Sequence, residues 1–439
     1  MLQILLFAMT HIGCVVMSFA RAPVYAFVLY QAIYFIHPAN RWWGYMVPNL
    51  PYSFMSVAFM FLLVAVNFRT VKNNRFYKVP TFKWQLLLLL VTWFTYTQAI
   101  APWHHSQLLD AYTKMFIILL LAFLLISNAK HLNIAIWGYL FGAWFSSFIV
   151  FQTGRNAGDR VEGVGTVDAP EANGLAAALA PAIVINLYYF WVSRTIKEKA
   201  FFAIAGVFTA NAIVLINSRA SFLAVAISVS YFMWKLFFSS FQRPRQKATV
   251  AWIAILGLCG AAYIVDYGFI ERMKTIKSEE KTAQKETGKT RLTFWSAAVE
   301  VSKDHPLGLG ARGFDAVSHV YVPSNVDTGQ SRNRSVHSTW LEVLTEQGYT
   351  GFILFIFLLS SAYFTLRKIR KSLIEEGNID AYFKMYALQC SLMCFAVSMT
   401  FMNRFRAEIL GWLILFVAAS YNVYFLKRNT IDKKGLMSK

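Results

Sequence analysis

Residues 173–193 read NGLAAALAPAIVINLYYFWVS. The run holds no charged side chain and ends at Arg194, Lys197 and Lys199. A helix of that length spans about 30 Å, the thickness of a bilayer's hydrocarbon. In lipid every backbone N–H and C=O needs an internal partner, so only helices and closed barrels can cross. The apolar positions here are continuous rather than alternating, which selects the helix.

Working outward, further apolar runs fall near 2–20, 23–37, 52–68, 84–101, 111–128, 132–153, 200–217, 220–239, 248–266, 351–367, 383–402 and 409–426. With 173–193 they make thirteen. Arg21 and Pro23 separate the first two closely, so the expected architecture is an all-α polytopic membrane bundle of 12 or 13 helices, a single integral membrane domain over 1–439. Composition agrees: 15% of the residues are charged, against about a quarter in soluble proteins.

The charge balance is +20, from 42 Lys and Arg against 22 Asp and Glu. Basic loops facing the cytoplasm explain this excess, and a nucleic-acid partner is not needed. Residues 69–83, 194–199, 243–247, 367–371 and the tail after 426 carry the Lys and Arg, and each is separated from the next by an even number of runs. All five therefore fall on one side, which the positive-inside rule makes the cytoplasm, with the C-terminus there too. The opposite face, which in a bacterium is the periplasmic one, receives 38–51, 102–110, 154–172, the turn at 217–219, the 84-residue segment 267–350 and 403–408. The N-terminus lacks a basic region and a cleavage site, so no cleavable signal is expected, and with a short tail after 426 no appended domain is expected there.

Within 267–350, residues 271–290 are mixed-charge and polar, while Leu292, Trp295, Ala298 and Val299 recur at helical spacing. Cys14, Cys259, Cys390 and Cys394 lie in apolar runs and read as small buried residues. His104 and His105 have no third ligand nearby, so no metal site is expected. The segment Asn40-Arg41-Trp42-Trp43 reads as an interfacial aromatic belt. Gly308-Leu309-Gly310-Ala311-Arg312-Gly313 matches G-x-G-x-x-G, but no βαβ pattern surrounds it and it reads as a turn. No internal repeat of useful length is visible.

Candidate functional residues gather on the periplasmic face. Arg219 stands in Asn217-Ser218-Arg219-Ala220-Ser221 between two runs, where a cation is costly unless it snorkels or meets an anion. Arg291 precedes a helical pattern. His337 opens an amphipathic helix bearing Trp340, Leu341 and Leu344, and Gly348 and Gly351 suit its C-terminal stop. A neutral imidazole there can take a proton from a hydroxyl. In the Gly-rich loop 154–172, Arg160 can bind an anionic group, and Asp168 and Glu171 can shape a sugar site. Arg404 and Arg406 flank another outer turn and add positive field.

In their order and spacing over about 215–352, these pieces resemble the O-antigen ligase and polymerase superfamily of bacterial membranes. The features are Ser218-Arg219, then Arg291 72 residues on with Trp295 four later, then His305-Pro306-Leu307-Gly308-Leu309-Gly310 with Phe314, and finally His337 and Gly348. The first outer loop, with His37-Pro38 and Trp42-Trp43-Gly44, also looks like that of exosortase-associated O-glycosylation ligases. The resemblance implies a GT-C type, inverting glycosyltransferase without metal or cofactor. It implies a glycan donor on undecaprenyl diphosphate at the outer face of the bacterial inner membrane. The acceptor would be a hydroxyl on lipid A core, protein or polysaccharide. Carried over by residue, Arg219 and Arg291 would bind the diphosphate and His337 would activate the hydroxyl. A polymerase using the same donor is the near alternative. A flippase is the distant one, and it would be expected to line its spans with charge through the whole membrane depth.

Overall fold

The protein is described by a computed structural model that defines residues 2–158, 160–265, 270, 288–324 and 331–428. Among them there is no β-strand. The helices are α1 (Leu2–Ala20), α2 (Tyr25–Ile36), α3 (Tyr52–Val66), the short α4 (Phe68–Val71), α5 (Pro80–Thr95), α6 (Pro102–Leu125), α7 (Ala129–Thr153) and α8 (Ala172–Val192). They continue as α9 (Ile196–Ile216), α10 (Arg219–Phe238), α11 (Gln246–Ile264), α12 (Gly288–Asp304), α13 (Gly313–Tyr321), α14 (Thr339–Glu375), α15 (Ile379–Met399) and α16 (Glu408–Tyr421). Each of the thirteen apolar runs is helical.

Nine of these helices are on their own long and apolar enough to cross a membrane, and the bent pair Tyr52–Val66 and Phe68–Lys78 raises the number to ten. The protein is a multi-pass membrane protein. The gap between ten and thirteen has local causes. Helix α2 has 12 residues, about 18 Å of rise, and is almost wholly buried. Helix α5 has 16 residues, and α15 carries Asp380 and Lys384.

Hydrogen bonds between the links sort them into two ends. At one, the Asn74 amide donates to the carbonyls of Leu124 and Ile126, Asn422 donates to Asn74, Lys427 donates to the Ser127 carbonyl, and Arg243 pairs with Asp380. At the other, Trp43 donates to Gln3, Tyr34 donates to Asp168, Gln98 donates to the Leu307 carbonyl, and the Ser338 N–H donates to Asn403. The first set is the one built from the basic loops, and the second holds every candidate residue named above. The links thus fall into the same two groups of loops that the Lys and Arg residues mark out.

Helix α16 occupies the centre, buried along its whole length. Trp412 on it is ringed by Phe27, Tyr34 and Phe35 of α2 and Tyr139 of α7. A separate small core lies at the cavity end, where Phe294, Ala297, Ala298 and Val301 of α12 pack with Leu309, Phe314, Val322 and Val336. This corrects the expected face of α12: Ala298 is buried, but Leu292 and Val299 are exposed. Two other expectations change. Trp42 is exposed as a belt residue would be, whereas Trp43 is fully buried and bonded to Gln3. Cys14, Cys390 and Cys394 are buried, but Cys259 is exposed on α11. The polar stretch 271–287 and the tail after 428 lie outside the described residues.

Candidate active site

The site is built around a break in α14. Gly348 has φ +67°, which is left-handed, so the helix beginning at Thr339 kinks there and then continues to Glu375. The expected stop at Gly348 is therefore a bend within a longer helix. The kink frees the carbonyls of Thr345 and Glu346, and the turn at 308–313 takes them: Leu309 N–H donates to Thr345 and Gly310 N–H to Glu346. Gly308, at φ +89°, meets Gly348 back to back. A Cβ on Gly348 would lie 2.4 Å from the Pro306 carbonyl oxygen, and one on Gly308 would lie 2.5 Å from the Gly348 nitrogen. The G-x-G-x-x-G match is thus a turn that docks on a broken helix. It is fixed again by Ile100 N–H to the Leu309 carbonyl and by Ala311 N–H to His105 Nδ1 at 3.0 Å. His105 Nε2 lies 2.8 Å from the Thr92 carbonyl, so both its nitrogens serve structure.

Docking the turn on α14 closes a cavity of about 420 Å³. Its walls carry Arg312, Arg404 and Arg406, the carboxylates of Asp168, Glu171, Asp315, Glu342 and Glu346, and His104, Ser335 and Asn403. Glu342 and Glu346 are one helical turn apart, so both face the cavity from α14. Glu346 accepts the Arg312 N–H at 2.7 Å, and Glu342 accepts the Phe405 N–H. Burial pushes the Asp315 carboxyl above its ordinary range, against the opposing pull of Arg312, His337 and His104.

The candidate residues divide between structure and access. Asp168 accepts from Tyr34, from Thr166 Oγ1 at 3.0 Å and from Glu408 N–H at 2.9 Å. Arg404 is buried, pairs with Glu171 and donates to the Asp168 carbonyl at 3.3 Å. A Cβ at Gly174 would stand 1.4 Å from Arg404 Nη2, so that glycine makes room for the guanidinium. Arg406 is exposed in the wall, and its charge acts on Glu342 and Glu346. Arg160 donates to the Ile216 carbonyl at 3.3 Å and to Asn173 at 2.9 Å, bracing the turn that leads into Arg219.

Arg219 and Arg291 are brought close enough for their like charges to act on each other. Neither belongs to the cavity wall, nor does His337. One turn beyond Arg291, Trp295 Nε1 donates to the Val336 carbonyl at 3.1 Å, next to His337. His337 is half-buried, has φ +48°, and precedes the N-cap Ser338. Its turn is clamped by one side chain: Asn403 accepts the Ser338 N–H at 3.0 Å and donates to Ser335 Oγ at 2.6 Å. Asn403 also lines the cavity, so the His337 turn forms its rim.

Sequence reasoning missed Arg312, Asp315, Glu342, Glu346 and Asn403. The spacing of Glu342 and Glu346, on the polar side of an amphipathic helix that ends in glycine, was the signal available.

Fold and site together define a class: an all-α polytopic membrane protein with a charged cavity at one end of its bundle. Residues 204–356, about a third of the chain, match the family model described as O-Antigen ligase, and this match supports the likeness to the O-antigen ligase superfamily. The match supports a function of the O-antigen ligase and polymerase type, that of a glycosyltransferase-like membrane enzyme. The matched segment contains Arg219, Arg291, the 308–313 turn, His337 and Gly348, whereas Arg160, Asp168, Arg404 and Arg406 lie outside it. No curated protein matches the chain.

Proposed function

We propose that the protein transfers a glycan en bloc from undecaprenyl diphosphate to an acceptor hydroxyl at the periplasmic face of the bacterial inner membrane. The acceptor is a lipid A core, a protein or a polysaccharide. One observation carries this reading: Arg219 and Arg291, 72 residues apart in sequence, come within electrostatic range, and the helix of Arg291 is tied beside His337.

In the proposed step the acceptor oxygen attacks the anomeric carbon as the bond from that carbon to the diphosphate oxygen breaks. His337 takes the hydroxyl proton, and undecaprenyl diphosphate leaves. Guanidinium forks match phosphate oxygens in pairs, so Arg219 and Arg291 hold the diphosphate and offset the charge that builds on it. Two adjacent guanidiniums repel each other, and an anion between them removes that cost. A single displacement inverts the anomeric centre. This chemistry requires no metal, because the two arginines supply the countercharge. The cavity beside His337 receives acceptor sugars, whose hydroxyls meet both acceptor carboxylates and the donor groups of Arg312 and Arg406.

The test is reconstitution of the purified protein with undecaprenyl-diphosphate glycan and candidate acceptors, without divalent metal, comparing wild type with His337→Ala. Product on lipid A core or protein, lost in the variant, supports the ligase. Lengthened lipid-linked chains assign polymerisation instead. Full activity in His337→Ala would falsify the proposed base, and movement of the lipid between leaflets without turnover would favour a flippase.

A further inference from the structure

At the far end of the bundle, α15 packs between α10 and α14, and a second cavity of about 630 Å³ opens beside it. Lys235, Arg367, Lys368, Arg370 and Lys371 line it, and no carboxylate does. We propose that this groove binds the phosphate-bearing headgroup of an anionic phospholipid.

Basic residues at a membrane boundary usually point outward to water and headgroups. Arg370 does not. It is 7% exposed, its guanidinium lies 4.1 Å from the Tyr386 ring centroid, and its Nη1 is buried without a hydrogen-bond partner among the described residues. The Gln389 Oε1 in the same lining is also buried and unpartnered. Lys235 reaches the same Tyr386 ring from α10, at 5.9 Å, and lies 4.6 Å from the Trp234 ring. Two cations from different helices thus lie against one aromatic ring. A buried donor left unpaired is costly, and a phosphate oxygen would satisfy it.

Free phosphate would satisfy the same donors. The apolar rim favours a lipid: Trp234 on α10 is 51% exposed and Phe364 on α14 is 59% exposed, beside the cationic groove. Such surface gains from acyl chains rather than from water. The groove lies at the basic end, where the headgroups of one leaflet lie, and anionic headgroups attract cations there.

The test uses the full-length protein in detergent after lipid removal, with thermal unfolding and native mass spectrometry as readouts. The probes are dioleoyl phosphatidylglycerol, dioleoyl phosphatidylcholine and inorganic phosphate. Phosphatidylglycerol is expected to raise the unfolding temperature saturably and to remain bound in the gas phase. Phosphatidylcholine and phosphate are expected to do neither. Because Arg370→Gln risks misfolding, the decisive variant is the double change Lys235→Gln with Lys371→Gln on the groove edge. It should weaken the phosphatidylglycerol midpoint about twenty-fivefold, two cations near the surface contributing roughly a factor of five each. Arg406→Gln, at the opposite end, should leave that midpoint unchanged. Equal retention of the two lipids, an unaltered midpoint in the double variant, or an equal shift from phosphate alone would each overturn the proposal.

Discussion

Gly174 shows how one residue can decide the position of a charge. Nothing in its sequence context marks it, yet any side chain there would displace Arg404 from Glu171. Gly174→Ala should cost about 1–3 kcal/mol, the usual range for overpacking. The measurement is thermal unfolding in detergent, and Arg404→Ala in the same chain should recover part of the loss, because the two effects share one contact. Asp315 supports a prediction of another kind. Its carboxyl is raised in the folded state, so the unfolded chain ionises first as pH rises. Between the ordinary aspartate value and the raised one the native state holds more protons, and stability falls with increasing pH. Asp315→Asn should remove that slope, leaving a flatter unfolding temperature across mildly acidic pH than wild type. At this scale the sequence revealed the cationic candidates, since an Arg beside an apolar run is conspicuous. It concealed the pairings, because Tyr34 and Glu408 meet Asp168, and Glu171 meets Arg404, only through the fold.

Among the elements, the kinked α14 governs the site. Gly348→Ala meets both a left-handed backbone and a carbonyl oxygen at 2.4 Å, so a loss of about 3 kcal/mol or more is expected. Size-exclusion chromatography of the solubilised variant should show poor recovery of folded protein. Trp295 offers a gentler test of α12 as the arm that positions His337. Trp295→Phe keeps most of the ring and loses the bond to Val336, worth about 1 kcal/mol. Expressed in catalysis, that is roughly a fivefold lower kcat with KM unchanged. An effect confined to stability, with kcat preserved, would remove the positioning role. The existence of α12 was legible from helical spacing, but its buried face was not. Leu292 and Val299 look like core residues by type, and they are exposed because Phe294, Ala297 and Val301 face the 308–313 turn instead. Likewise a glycine at the end of an amphipathic pattern looks like a terminus, and only tertiary contact with Pro306 shows it to be a bend.

For the whole molecule, the sorting of the loops into two ends was readable from Lys and Arg alone, and the positive-inside rule proposes which end faces the cytoplasm. The number of helices that cross unaided was not, since α2 is apolar enough to span but is only 12 residues long and lies inside the bundle. Sidedness is open to direct measurement. In a chain with Cys259 replaced, Val320→Cys and Ile196→Cys would place thiols at the cavity end and the basic end, both sites being well exposed. A membrane-impermeant maleimide should label the first in intact spheroplasts and the second only after permeabilisation. The reverse pattern would invert the proposed orientation.

Asp168 binds Tyr34 of α2 on one side and the first residue of α16 on the other. Those partners are 134 residues before it and 240 after it. During synthesis the wall of the cavity therefore stays open until the last helix has left the ribosome and entered the bilayer. A nascent chain halted short of residue 408 carries the arginine pair but no finished cavity. Emergence of activity during translation should consequently be abrupt, timed to α16, rather than gradual with chain length.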